Sequence, residues 1–228
     1  MTGTTTGAEA PLRMSALRRA VLLTVAALLA LATFAMPAGA QEADEQDVYP
    51  PAGARVFIGV IGPVPHTAIE SAVSGSYVVT LEGTTLQISL SAFGATPNLP
   101  HAMHIHTGSA CPAAGADADG DGLISVVEGI PSYGAIRVPL TVTGPTGPES
   151  ALALDRMPVA NAAGAIFYRR TIEIPAEFAA NFGAPHVVVH GFDGLNATPG
   201  YQTPPVSPLG PVPQEATLPV GCGEAAEL

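Results

Sequence analysis

From position 55 onward, apolar and polar residues alternate in short bursts, each closed by Gly, Pro, Asn or Ser. Alternation of period two marks a strand with one face in a core and the other in water. It predicts strands near 55–61, 76–81, 85–92, 101–106, 134–142, 165–174, 186–190 and 216–221. Gly83-Thr84, between two alternating runs, is placed for a hairpin turn. The run of three valines inside 186–190 reads as a buried strand. Only 175–181 carries a helix start signal, good for a turn or two, and 151–163 fits either a loop or a short helix. Eight short strands with turn punctuation and no βαβ alternation predict an all-β fold, an antiparallel sandwich or barrel. The Pro-rich stretch 203–213 reads as a surface loop.

The N-terminal part follows a different pattern. Arg13, Arg18 and Arg19 precede a charge-free apolar run over 20–36, which exits at Ala38-Gly39-Ala40. A charged start, an apolar middle and a small-residue exit make 1–40 a secretory signal peptide. A retained anchor is the rival reading, since the run is at the short edge of spanning length. Residues 41–53 are acidic and proline-tipped and read as a flexible tether, leaving 54–228 as the folded domain. The expected product is free of the membrane after cleavage, secreted or held in a bacterial periplasm or envelope.

Composition narrows the picture further. Eight arginines and no lysine face 19 acids, a formal charge of -11, and the leader takes three of those arginines with it. Such a chain cannot neutralise a run of phosphates, which excludes nucleic acid as a partner. With 25 Gly and 23 Pro, helices would be broken every few turns, which excludes an all-helical fold.

Cys111 and Cys222 both lie in the exported part, where an even pair is read first as a disulfide. It would close a loop worth about 4–5 kcal/mol on the chain-entropy model. Between them, residues 117–128 fit a twelve-residue calcium loop. Asp117, Asp119 and Asp121 stand at positions 1, 3 and 5, and Gly122 at the sharp turn. Leu123 offers its carbonyl, Ser125 binds directly or through water, and Glu128 closes the loop. Four carboxylates this close repel one another unless a hard cation offsets them. Pro112 before the loop and Gly129-Ile130-Pro131 after it argue against the flanking helices of a full EF-hand.

Five of six histidines fall in two strand segments, His66 alone standing apart. His104 and His106 are two apart on a strand, so both imidazoles share a face about 6–7 Å apart and can reach one ion. His190, at the end of the valine run, can bring a third ring from a neighbouring strand. His186 shares its face but lies roughly 13 Å further along, too far for the same ion.

These residues carry a resemblance. Leu99-Pro100-His101-Ala102-Met103-His104-Ile105-His106, with Cys111 after it, resembles the His-Gly-Phe-His-x-His segment of copper/zinc superoxide dismutases. Val187-Val188-Val189-His190 is similar to their copper-ligand strand, and Gly221-Cys222-Gly223 to their Ala-Cys-Gly end. Chordin-type (CHRD) domains share the short His-x-His segment and are the second label. The resemblance implies a Greek-key β-barrel with copper on His104, His106 and His190, His101 as a structural histidine, and a Cys111–Cys222 disulfide. Superoxide is the substrate it implies. The chain also departs from the pattern. No histidine lies between Thr107 and His186, so the bridging and zinc ligands are missing and no zinc is expected. Leu218-Pro219-Val220 stand where the family has an anion-steering arginine. Two functions follow: a secreted dismutase-like metal-binding protein with calcium in its loop, or a calcium-stabilised extracellular β domain for adhesion or partner binding. Copper storage or delivery is a third, with Met103 the one soft donor near the pair.

Overall fold

The structure, a computed structural model, describes residues 53–108, 110–205 and 210–228. The expected leader over 1–40 and all of the tether but Gly53 lie outside the described residues. Eight strands form: β1 (Arg55–Pro63), β2 (Ser74–Glu82), β3 (Thr85–Phe93), β4 (Met103–His106), β5 (Ile136–Pro139), β6 (Ile166–Glu173), β7 (His186–His190) and β8 (Pro219–Glu227). They make one sheet in the order β5-β4-β7-β8-β1-β2-β3-β6, antiparallel at every pairing, and it curls into a half-barrel. The all-β expectation holds. The β3–β4 and β6–β7 connections each cross from one end of the sheet to the other.

Alternation decides which side chains meet. Phe57 and Ile61 on β1, Tyr77 and Val79 on β2, and Leu86 and Ile88 on β3 point inward and are buried. Ile58, Val60 and Val78 point outward and are exposed. The Tyr77 hydroxyl crosses the core to the carbonyls of Pro185 (2.8 Å) and Gly223 (2.9 Å). Its ring lies where a Cβ on Gly59 would stand, 2.2 Å from Cζ, so β1 needs glycine opposite it. The sheet's two edges, β5 and β6, are joined by side chains. The Tyr168 hydroxyl (3.0 Å) and Arg170 Nη1 (2.6 Å) on β6 donate to the carbonyl of Thr141, two residues past β5.

Strands β4 and β7 depart from one-sided burial along their whole length, and β8 does so over its first five residues. Met103, Ile105, Val187 and Val189 face the main core. The opposite face is covered by the long β4–β5 connection, which adds a small second core of Val64, Ile124, Tyr133, Val188 and Cys222. The Cys111–Cys222 disulfide pins that connection to β8.

Two sequence expectations need correction. First, a helix does follow the acidic loop: α1 (Val126–Tyr133), with Pro131 inside it. Pro131 removes one backbone bond. A capping box compensates at the start: the Ser125 side chain accepts from the Glu128 N–H, and the Glu128 carboxylate accepts from the Ser125 N–H. Second, the last strand starts at Pro219 and runs to Glu227, and Ala216 belongs to a short helix, α3 (Gln214–Thr217). Gly-Cys-Gly-Glu-Ala-Ala-Glu has weak strand propensity, and pairing with β7 on one side and β1 on the other overrides it. The helix expected at 175–181 is α2 (Ala176–Ala180).

Glu215 in α3 is fully buried and organises the chain that follows β7. Its carboxylate accepts from the N–H groups of Gly194 (3.2 Å), Leu195 (3.0 Å), Gln202 (2.8 Å) and Thr203 (3.2 Å), and from Asn196 Nδ2. Burial pushes its pKa up, but these donors outweigh burial and hold it below the usual range. Its stabilisation is therefore complete above the unfolded carboxylate pKa of about 4.3 and is lost as pH falls through the lower folded value. Glu215→Gln is expected to cost about 3 kcal/mol in urea unfolding at pH 7, because a neutral amide cannot serve the same donors.

Candidate metal centre

The two-sided burial of β4 and β7 creates the site. Period two sends His104 and His106 to the face opposite Met103 and Ile105, and His190 to that same face on β7. A register shift between Val189 and His190 lets His190 leave the regular ladder, and its N–H donates to Ala102 O at 2.8 Å. One ring nitrogen from each of His104, His106 and His190 lies within 4.8 Å of one from each of the others. Their ring centroids stand 5.6 Å (104–106), 5.1 Å (104–190) and 6.3 Å (106–190) apart.

Backbone carbonyls fix the tautomer of each ring. His104 Nε2 faces Ala151 O at 2.8 Å, His106 Nδ1 faces Gly134 O at 2.9 Å, and His190 Nδ1 faces Thr217 O at 2.7 Å. A carbonyl can only accept, so each of these nitrogens carries the hydrogen. That leaves lone pairs on His104 Nδ1, His106 Nε2 and His190 Nε2, all three buried and without a partner. Buried polar atoms without partners are costly and rare, and three in one cluster call for an explanation.

Electrostatics keep the rings neutral. Burial, reinforced by repulsion from His190 and His106, holds His104 well below the usual imidazole range. Burial takes His106 down to about 4 against the hydrogen bond to Gly134, and takes His190 down to about 3, with His106 adding to the effect. Three neutral imidazoles with converging lone pairs are a ligand set for copper, zinc or nickel.

The three rings line a cavity of about 320 Å³ whose wall is otherwise Val126 and Ile130 of α1, Ile136, Leu152, small residues and Thr217. Tyr133, at the end of α1, packs edge-on against His106 at 4.7 Å. Among the described residues no charged side chain lines this cavity.

Other predicted residues fall elsewhere. His101 lies between the carbonyls of Thr96 and His190, a ring nitrogen 2.9 Å from each and its single N–H able to serve one of them, and does not join the cluster. His186 sits opposite His106, buried, with both ring nitrogens unpartnered, and is outside the three-histidine group. In the acidic loop, Asp117, Asp119 and Glu128 bring carboxylate oxygens within 4.8 Å of one another. Asp121 is not with them, and its carboxylate accepts from Leu123 N–H at 2.7 Å. Gly122 has a φ of +85°, as the turn requires, and its carbonyl accepts from the N–H groups of Thr67 and Ala68. Glu128 also accepts from Ala118 and Asp119 N–H, and the Ser125 hydroxyl donates to it. The group could hold a cation.

Sequence reasoning missed the roof and the clamp of this site. The roof is α1, and its signal was present: Ser125-x-x-Glu128 is a capping-box pattern. The clamp is His66, whose Nδ1 accepts from Ile124 N–H at 2.9 Å while Nε2 donates to Pro219 O at 2.7 Å. A lone histidine 58 residues away from Ile124 carries no such signal.

Comparison with protein-family models and with curated proteins finds no match for the chain. The site therefore stands on its own geometry.

The depressed imidazoles make the metal-free chain acid-sensitive. Their folded pKa values lie below the unfolded 6.5, so stability is full above about pH 6.5 and falls as pH drops toward the folded values. His106 alone is expected to cost on the order of 3 kcal/mol between pH 7 and pH 4. Urea unfolding of the metal-free chain at both pH values measures it; a flat profile would show that the rings are not buried neutral.

Proposed function

We propose that this chain is an exported metal-binding protein that holds copper through His104 Nδ1, His106 Nε2 and His190 Nε2. The single observation that carries the reading is the convergence of three buried lone pairs, each directed by a carbonyl on the other ring nitrogen. The ligand set is all imidazole, which suits copper, and the dismutase-like motifs make copper the ion of first choice. Bound copper would supply one-electron chemistry, while the protein's residues orient the rings and exclude bulk water. Superoxide dismutation is the activity the resemblance implies. An arginine-free cavity wall and the missing bridging histidine weigh against fast turnover, so metal binding is the better-supported function.

Copper titration of the mature chain is expected to give one tightly bound ion, lost in His104→Ala/His106→Ala. No stoichiometric copper, or the same stoichiometry in the double variant, would sink the reading. Removal of superoxide by the loaded protein then decides whether it is an enzyme.

The clustered Asp117, Asp119 and Glu128 favour a second reading, which is compatible with the first: calcium in the acidic loop stabilises an extracellular β domain. Calcium at about 100 times its dissociation constant would add about 2.7 kcal/mol. Thermal unfolding with calcium and with chelator is expected to differ by several degrees, and coincident midpoints would remove calcium from the account.

A further inference from the structure

We infer that the open side of the three-histidine site takes a small organic monoanion with an apolar body, a carboxylate or a group of like charge. The inference rests on the metal-binding reading and deepens it. Three observations lead to it. Each of the three imidazoles has one nitrogen on a backbone carbonyl and a lone pair on the other, so as ligands they bring no charge to offset that of a bound ion. The surface the cavity presents is apolar, and none of its lining residues is charged. The cavity measures about 320 Å³, roughly ten water-sized volumes at ~30 Å³ each, far more than a diatomic or triatomic anion fills.

Charge and shape then select together. An uncompensated cation beside apolar walls is unfavourable, and an anionic donor at the open position offsets it. A small hydrated anion would satisfy the charge but leave Val126, Ile130, Ile136 and Leu152 against water or void. An anion carrying a short hydrocarbon or aromatic body satisfies both, with its head on the ion and its tail against those four residues. Val126 and Ile130 are one helical turn apart on α1, so the helix offers them as a continuous stripe.

The test uses the full mature chain, stripped of metal and reloaded with one equivalent of copper(II). Acetate, hexanoate and 1-hexanol are titrated, read by the copper absorption bands and by calorimetry. Each buried methylene contributes up to about fourfold in affinity, so hexanoate is expected to bind at least about tenfold tighter than acetate. 1-Hexanol, with the tail but no charge, and hexanoate on the copper-free chain are each expected to be weaker than hexanoate on the loaded chain by about tenfold or more. Ile130→Ser is expected to cost hexanoate severalfold and leave both acetate affinity and copper content unchanged. Equal affinity for acetate and hexanoate, or 1-hexanol matching hexanoate, would overturn the inference. Copper content is measured first. A chain that takes up no copper fails the proposed function, whereas a loaded chain that ignores the tail fails only this inference.

Discussion

A buried polar atom must find a partner, and that requirement organises this molecule around β4 and β7. In β1, β2, β3 and β6 one face meets the core and the other meets water, so a polar side chain on the outer face has nothing to explain. On β4 and β7 both faces are covered. The covering layer is the long connection between β4 and β5, held by the Cys111–Cys222 disulfide, the His66 clamp and the small core around Tyr133. Under that cover, three imidazoles each spend one nitrogen on a backbone carbonyl, and their remaining lone pairs have only one another to face.

The fold was legible because its signal is local. Alternation in 76–81 and 85–92 is the direct trace of one-sided burial, and β2 and β3 form there as a hairpin. The histidine pair was legible for the same reason: spacing of two on a strand is a statement about one face. What escaped was non-local or doubly determined. The helix after the acidic loop hid because Ser125 and Glu128 also occupy calcium-loop positions, and Pro131 argued against continuation. The later part of β8, past Gly221, hid because its glycine, alanines and acids have no strand preference of their own and are held by neighbouring strands. The service of His66 and Glu215 depends on partners brought close only by folding.

The acidity of the chain looks different once its parts are placed. Glu215 is consumed inside the protein by five donors. Glu227 pairs with Arg55 at the open end of β1, an exposed contact of modest worth. The three-histidine cavity, by contrast, has no charged residue in its wall among those described. Net charge is thus a poor guide to what reaches the histidines, and the local wall is the better one.

Glu128 serves two masters. Its Oε2 caps α1 and its Oε1 accepts from the Ala118 and Asp119 N–H groups of the acidic loop, while the same helix presents Val126 and Ile130 to the cavity beside the imidazoles. The acidic loop and the start of the helix that covers the imidazoles therefore hang on one side chain. The wall over the three histidines is thereby anchored, through a helix of eight residues, to the turn that gathers Asp117, Asp119 and Glu128.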